Sequence, residues 1–254
     1  MKLVIASRDD PAAMNIASHV EDLIRSRGEH NLRLARVSGD VTKLSGLPEE
    51  ADEVIVASRH VAESGRRSLT VHVPGNPEEG IFAVASPCTV WKALRALARA
   101  REELELPHTV SLEATHHGPC DLEVPVTFVE IGSIAEHWLD RRAGEAVALA
   151  IIEAAADGKI LRNAVGFGGP HYAPRHTDVA LKTDVAPGHI FPGYSNFNRA
   201  AIEAAVNRTA GGVEFFVVDW KGLSAEQRKI CMSSAEDLGV KAVRAGELMP
   251  QPKV

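Results

Sequence analysis

The sequence predicts an α/β fold in which a mixed, largely parallel sheet is flanked by helices. Two observations lead to this prediction. Short, almost wholly apolar segments such as residues 3–6 and 53–57 are typical of strands that are buried on both faces. Between them lie segments whose apolar residues recur every three or four positions, as they do in amphipathic helices. Strands that alternate with helices along the chain are typical of parallel sheets with helical crossovers.

The first half of the chain is predicted to hold four strands and two helices. Pro11 stands at a first helical position and Gly28 at a helix end, and the apolar residues between them recur at helical spacing. A second, strongly basic helix is expected over residues 89–104. The strands are expected at residues 3–6, 32–37, 53–57 and 69–73.

The second half begins with a predicted strand at residues 109–115, where apolar and polar residues alternate. The segment V-T-F-V-E-I at 126–131 predicts a further strand, and the alanine-rich segment 143–156 predicts a helix. The remaining elements are expected to be strands at 164–167 and 213–218 and helices at 198–206 and 225–238.

The segment R-E-E-L-E-L-P-H at residues 101–108 is the best candidate for a boundary inside the chain. With 254 residues, the chain is long enough for one large domain or for two modest ones. We therefore expect either two closely packed subdomains, 1–104 and 105–254, or one integrated domain.

Composition excludes several classes of protein. The net charge of −6 argues against a broadly basic surface that coats nucleic acid, although a local basic patch stays open. The three cysteines are widely spaced and form no C-x-x-C, which disfavours a disulfide framework and fits a reducing compartment. The first ten residues contain two acids and do not resemble a signal peptide, and no apolar run approaches the length of a membrane span. We expect a cytoplasmic protein with no membrane segment.

Five of the eleven histidines fall in three short segments that are rich in glycine and proline. The segments are A-T-H-H-G-P, G-F-G-G-P-H-Y-A-P-R-H-T and P-G-H-I-F-P, and they are expected to be loops. Histidines on loops serve as metal ligands and as proton carriers near neutral pH. In open α/β sheets, sites form where strands end and loops begin. The histidines are His116, His117, His171, His176 and His189.

One carboxylate joins this group. Glu130 lies inside an apolar predicted strand, where a carboxylate is costly to bury unless it is paired or binds a metal. The expected catalytic residues are His116, His117, Glu130 and His176. The expected metal ligands are His116, His171, His176, His189 and Glu130.

Each of these residues also has a structural interpretation. His116 and His117 could be turn residues with local hydrogen bonds, and the loop with His171 could pack on its own polar side chains. Glu130 could face solvent on an edge strand. His189 could equally be a semi-buried histidine with its hydrogen bonds satisfied.

Histidine and carboxylate ligands without thiolates suit a catalytic zinc ion with an open coordination position. Such an ion lowers the pKa of a bound water to about 7 and polarises a carbonyl group. A metal-free alternative uses histidine as general base, with backbone amides of the glycine-rich loop as an oxyanion site. The sequence contains no P-loop, no G-x-S-x-G motif and no dinucleotide-binding fingerprint.

The motifs together resemble those of the archaeal and plant D-aminoacyl-tRNA deacylases. The similar segments include A-T-H-H-G-P, F-V-E-I-G-S, G-F-G-G-P-H-Y-A-P-R-H-T and G-H-I-F-P. Earlier segments are S-R-D-D-P-A-A-M-N-I, V-I-V-A-S-R-H-x-x-E-S-G and L-T-V-H-V-P-G-N. They occur in the same order from residue 7 to about residue 194, so the resemblance covers most of the chain.

The resemblance implies an enzyme that hydrolyses the ester between a D-amino acid and the 3′ adenosine of tRNA. It also implies zinc, a monomer and an α/β fold similar to phosphorylase/hydrolase-like proteins. The expected partner is D-aminoacyl-tRNA. For its binding we consider Gly168, Gly169 and Arg175 in the loop, and the basic helix face of Lys92, Arg95 and Arg99; Arg66 and Arg67 are a second candidate.

Two other functions stay open at this point. One is a zinc-dependent peptidase or amidase that acts on small substrates. The other is a noncatalytic RNA- or nucleotide-binding module, which would need stacking aromatics along a basic groove. With 5% aromatic residues and a negative net charge, the chain fits that module least well.

Overall fold

The computed structural model describes residues 1–156, 158 and 161–250. This part of the chain forms twelve strands and seven helices. The strands are β1 (Lys2–Ser7), β2 (Leu32–Val37), β3 (Glu53–Val61), β4 (Ser68–His72), β5 (Gly75–Asn76), β6 (Ile81–Phe82), β7 (Thr109–Leu112), β8 (Val126–Ser133), β9 (Arg162–Phe167), β10 (Val185–Phe191), β11 (Phe215–Val218) and β12 (Lys241–Arg244). The helices are α1 (Pro11–Arg27), α2 (Pro87–Glu103), α3 (Ala135–Trp138), α4 (Arg141–Ala155), α5 (Pro174–Lys182), α6 (Arg199–Asn207) and α7 (Ala225–Leu238).

Helix α1 shows how local signals set the element boundaries. Asp10 accepts hydrogen bonds from the backbone N–H groups of Ala12 and Ala13, and Pro11 occupies the first turn. Gly28 ends the helix in the left-handed conformation, with φ of 66°. The helix therefore begins and ends where the sequence predicts.

Six strands form the main sheet in the order β2-β1-β3-β8-β4-β7. Strands β1, β2, β3 and β8 are parallel, β4 is antiparallel to β8, and β7 is parallel to β4. The second sheet has the order β10-β9-β11-β12 and is wholly parallel. The predicted α/β fold with a mixed, largely parallel sheet is confirmed.

The main core lies between the six-stranded sheet and the helices α1, α2 and α4, with α4 packed against both α1 and α2. A second core lies between the four-stranded sheet and the helices α6 and α7, and it includes Phe167, Phe191 and Phe216. Within the described part of the chain, no helix combines the length and the apolar character needed to cross a membrane.

Strands from both sides of residue 104 build the six-stranded sheet, because β7 and β8 pair with β4 and β3. Of the two domain arrangements expected from the sequence, we therefore propose the single integrated domain over a division into 1–104 and 105–254.

Two of the expected histidine loops are regular elements instead. Pro174 begins α5 at its first position, where a proline fits because its missing N–H would be unpaired anyway. His176 therefore lies on a helix, and the prediction that it belongs to a loop is wrong. His189 lies within β10, so the same prediction is wrong for it.

Candidate active site

Strand pairing collects polar side chains on one face of the main sheet. Glu130 of β8 stands opposite Ser58 of β3 on one side and Thr70 of β4 on the other. Ser58 Oγ donates to Glu130 Oε1 at 2.6 Å, and Thr70 Oγ1 donates to Oε2 at 3.4 Å. Side chains two residues apart on a strand share a face, so His60 and His72 join the same group.

Glu113 lies at the centre of the histidines. It directly follows β7 and is 1% exposed. Its carboxylate oxygens lie 3.0 Å from His60 Nδ1 and 3.3 Å from His171 Nε2. They also lie 3.6 Å from His116 Nε2 and 3.7 Å from His72 Nδ1. One buried carboxylate therefore faces four imidazole nitrogens.

The H-H-G-P turn fixes the orientation of two rings. His116 Nδ1 lies 2.8 Å from the carbonyl oxygen of Ala114, and His117 Nδ1 lies 2.6 Å from that of Gly118. A carbonyl oxygen can only accept, so each Nδ1 carries the proton and each Nε2 has a free lone pair. His117 Nε2 faces His72 Nε2 at 3.3 Å.

His171 reaches the cluster from the second sheet, because it follows the turn at the end of β9. Its carbonyl oxygen accepts a hydrogen bond from Ala114 N at 2.7 Å. Two tyrosine hydroxyls contact the outer nitrogens of the histidines: Tyr172 Oη lies 2.9 Å from His60 Nε2, and Tyr194 Oη lies 3.3 Å from His171 Nδ1. The cluster therefore lies where the two sheets meet.

Burial and mutual charge shift the pKa values of the cluster. Burial opposes the charged form of His60, but the close contacts of its Nδ1 with the carboxylates of Glu113 and Glu130 raise its pKa to about 11. Burial alone would raise the pKa of Glu113, but the surrounding histidines hold it well below the usual value. Burial raises the pKa of Glu130, lowers that of His116 to about 4, and lowers that of His72 well below its usual value.

Three overlapping groups in this cluster have donor atoms close enough together to hold a metal ion. Within each group the donor atoms lie within 4.8 Å of one another. The groups are His72–His116–His117, His60–Glu113–His171 and His72–Glu113–Glu130.

A cleft of about 620 Å³ opens above the cluster. Its floor includes His116, His117, His171, Phe128 and Glu130. Its walls are residues 58–61 at the end of β3, Ser7, Asp9 and Asp10 at the end of β1, and the loop of residues 39–42. Because β2 and β3 lie on opposite sides of β1, this is a switch point in strand order, where α/β folds bind ligands.

Comparisons with known proteins agree with this geometry. The family model for D-aminoacyl-tRNA deacylase matches residues 47–243. The chain belongs to the D-aminoacyl-tRNA deacylase family. It is similar to the D-aminoacyl-tRNA deacylase of Pyrococcus furiosus, with 34% identity over 96% of this chain and 100% of that protein. It is 40% identical to the one of Aeropyrum pernix over 83% of each chain.

A solved structure shares the whole fold. The conserved protein of unknown function AF0625 superposes with a TM-score of 0.89 and 30% identity, over 98% of this chain and 96% of that one. The resemblance to the D-aminoacyl-tRNA deacylase family that the motifs indicate is thus confirmed.

The deacylase fold brings together four of the predicted site residues: His116, His117, His171 and Glu130. It does not bring His176 and His189 into the cluster. His176 is fully buried, with Nε2 3.2 Å from the carbonyl oxygen of Gly168 and its ring against Gly166. His189 is fully buried beside Phe82. Neither belongs to a metal-binding group among the described residues, so we no longer propose them as ligands.

The glycine-rich loop shapes a turn and does not line the cleft. Gly168 and Gly169 have φ of 91° and 89°, a region that disfavours side chains. A Cβ on Gly168 would lie 2.6 Å from the carbonyl oxygen of Asp219. Their function is therefore to direct the chain from β9 to His171. Arg175 is exposed on the first turn of α5 and forms no ion pair with any described residue.

The basic side chains of α2 bind the C-terminal ends of α4 and α5. Lys92 Nζ donates to the carbonyl oxygen of Ala156 at 2.7 Å, just beyond α4. Arg95 donates to Ala180 O and Leu181 O in the last turn of α5, and Arg99 pairs with Glu153. Cations stabilise helix C-termini, so this face has a structural explanation that the sequence does not reveal.

Three members of the cluster were missed by sequence reasoning: His60, His72 and Glu113. For His60 and His72 the available signal was a polar residue at every second position of an apolar strand, as in A-S-R-H and L-T-V-H. Such a pattern on a strand predicted to be buried on both faces indicates a polar site and not a solvated face.

Proposed function

We propose that this protein is a D-aminoacyl-tRNA deacylase, which hydrolyses the ester between a D-amino acid and the 3′ end of tRNA. It would thereby free mischarged tRNA and keep D-residues out of translation. Family membership supports the substrate class. The observation that carries the reaction type is the cleft floor, where imidazole lone pairs and a carboxylate converge on one buried point.

The donor set fits zinc. The Nε2 lone pairs of His116 and His117 are turned inward because each Nδ1 is held by a backbone carbonyl, an arrangement typical of metal-binding histidines. Neither oxygen of Glu113 accepts a well-aligned hydrogen bond from the described residues. A bound zinc ion would polarise the ester carbonyl and lower the pKa of a bound water.

We assign the ligand role to His72, His116 and His117, and to the separate group of His60, Glu113 and His171. Histidine nitrogens and carboxylate oxygens are ordinary zinc ligands. The two groups share no residue, so each could hold an ion of its own.

Glu130 is our candidate for proton transfer. It lines the cleft, whereas Glu113 does not. Ser58 and Thr70 hold its carboxylate in one position. In the proposed reaction Glu130 takes a proton from the attacking water and returns it to the ribose oxygen that leaves the ester carbon.

A rigid cleft supports selection of the D-configuration. Gly118 in the H-H-G-P turn approaches the carbonyl oxygen of Thr42 so closely that any Cβ would overlap with it. The turn and the loop of residues 39–42 are therefore in close contact, and both line the cleft. Enantiomers exchange the positions of a hydrogen and a side chain, so fixed walls can reject one of them.

Arg175 is the residue that we propose for contact with the tRNA backbone, since it is exposed and carries an uncompensated charge. The family resemblance supports a monomer that acts in the cytoplasm.

The test is a deacylation assay with D- and L-aminoacyl-tRNA that carry the same amino acid, with and without a chelator. We expect rapid hydrolysis of the D-ester alone, loss of activity on chelation and recovery with zinc. Equal decay of both esters at the buffer rate would exclude the proposed function. D-selective activity that resists the chelator and persists in zinc-free protein would keep the function and exclude the zinc mechanism.

A further inference from the structure

Tyr194 is an exposed aromatic residue beside the cluster. Its side chain is 63% exposed, and it is the one aromatic among the exposed large hydrophobic residues that the structure describes. Its hydroxyl lies 3.3 Å from His171 Nδ1, and the opposite nitrogen of that ring lies 3.3 Å from Glu113. The hydroxyl end of Tyr194 is thus held at the site while its ring stays open to solvent.

The turn that carries Tyr194 is fixed on both sides. Gly193 N donates to the carbonyl oxygen of Gly169 at 2.9 Å, and Ser195 N donates to that of Pro192 at 3.2 Å. The side-chain amide of Gln227 donates to Gly193 O at 3.1 Å and to Ser195 O at 2.9 Å. A ring on so rigid a turn loses little conformational entropy when a ligand binds.

Tyr172 offers an informative contrast. Its hydroxyl contacts His60 Nε2 in the way that Tyr194 contacts His171, but its side chain is half-buried. Burial explains Tyr172 as a residue that orients a histidine. The same explanation does not account for the exposure of the Tyr194 ring, because a buried phenol orients a histidine equally well.

We propose that the ring of Tyr194 is a stacking surface for the 3′-terminal adenine of the tRNA. The proposal rests on the proposed deacylase function. Every base presents a π-face, and stacking of a base on an aromatic side chain is a common mode of single-strand recognition. The terminal base and the ester are attached to the same ribose. A base on Tyr194 therefore leaves the ester close to the histidines that Tyr194 adjoins.

The test compares Tyr194→Leu, which removes the ring, with Tyr194→Phe, which keeps the ring and loses the hydroxyl. For D-aminoacyl-tRNA, we expect KM to rise about tenfold or more in the leucine variant and to change less than about threefold in the phenylalanine variant. The second substrate is the methyl ester of the same D-amino acid, which has no base. We expect Tyr194→Leu and Tyr194→Phe, which both lack the hydroxyl beside His171, to hydrolyse it at equal rates and to bind equal amounts of zinc.

Two results would overturn the proposal. If Tyr194→Leu slows hydrolysis of the methyl ester as much as that of the tRNA ester, the residue acts only through His171. If both variants raise KM alike, the hydroxyl matters and the ring does not.

A binding measurement separates this proposal from the deacylase function. Uncharged tRNA that carries 2-aminopurine in place of the terminal adenine should lose fluorescence on binding to the wild type and to Tyr194→Phe, but not to Tyr194→Leu. Equal quenching by all three proteins would overturn the proposal, whatever the hydrolytic activity. Absence of D-aminoacyl-tRNA hydrolysis by the wild type would overturn the proposed function instead.

Discussion

Glu113 and Glu130 are both almost inaccessible to solvent, yet their surroundings differ. Glu113 faces four imidazole nitrogens, whereas Glu130 accepts hydrogen bonds from two hydroxyl groups and lines the cleft. Burying a carboxylate is costly unless other groups compensate its charge. Histidine rings surround Glu113, whereas hydroxyl groups hold Glu130 at the cleft. We therefore propose metal binding for Glu113 and proton transfer for Glu130.

Glu130→Gln tests this division. The amide cannot accept the proton, so we expect kcat for D-aminoacyl-tRNA to fall about 10²- to 10⁴-fold while the zinc content stays unchanged. Single-turnover kinetics and metal analysis of the purified protein provide the two measurements. Glu113→Gln is the matched control and should lose zinc. Loss of zinc from both variants would make Glu130 a ligand as well.

His176 and its neighbours indicate a structural role for this residue. Because the ring is fully buried against Gly166, His176→Ala should leave a cavity and lower the free energy of unfolding by about 2–4 kcal/mol, as other large-to-small core substitutions do. Zinc content should not change. His171→Ala is the control: its side chain is 32% exposed, so we expect loss of zinc with a smaller loss of stability in the metal-free protein. Denaturant titration and metal analysis would contradict this if His176→Ala lost its zinc while it kept its stability.

At the scale of elements, the sequence predicts where the strands lie along the chain better than it predicts which strands pair in the sheet. The apolar pattern predicts β1 and β2 to within one residue because burial on both faces is visible locally. It does not show that β8 lies between β3 and β4, and this pairing brings Glu130 to His60 and His72. The sequence indicates residues 116 and 117 as candidates because two adjacent histidines before Gly-Pro are unusual in a turn. Glu113, a single acid at a strand end, was not.

The basic residues of helix α2 and helix α5 differ in their contacts. Arg95 holds the last turn of α5, so Arg95→Met should lower Tm and leave KM for D-aminoacyl-tRNA unchanged. Arg175 has no acidic partner among the described residues, so Arg175→Gln should raise KM and reduce the slope of log KM against log salt by about 0.7–1 if it contacts one phosphate. Measuring KM for both variants over a series of salt concentrations distinguishes a structural role from contact with a phosphate. An unchanged slope in Arg175→Gln would remove it from the tRNA surface.

For the whole molecule, buried histidines should make stability sensitive to acid. His108 is 3% exposed and its ring nitrogens have no hydrogen-bond partner among the described residues. Burial lowers its pKa to about 4. Below about pH 6.5, His108 becomes protonated in the unfolded chain. In the folded protein it becomes protonated only near pH 4. The free energy of unfolding should therefore fall between these pH values, by at most about 1.4 kcal/mol per pH unit from this residue, and stay level above them.

His108→Leu should flatten that decline, whereas substitution of the exposed His30 by Gln should not. Denaturant titrations of the metal-free proteins at pH 7 and pH 5 measure the difference. An equal decline in wild type and His108→Leu would show that other groups determine the acid sensitivity.

The position of His171 has a consequence for how the enzyme is made. The remaining donors of the cluster lie between residues 60 and 130, whereas His171 arrives with β9 of the second sheet. In a chain that leaves the ribosome from its N-terminus, the proposed group of His60, Glu113 and His171 would therefore be complete only when the second sheet has begun to form, whereas the group of His72, His116 and His117 would not depend on it. An ion held by both segments would link the two sheets, and its binding free energy would add to the stability of their contact in the folded protein.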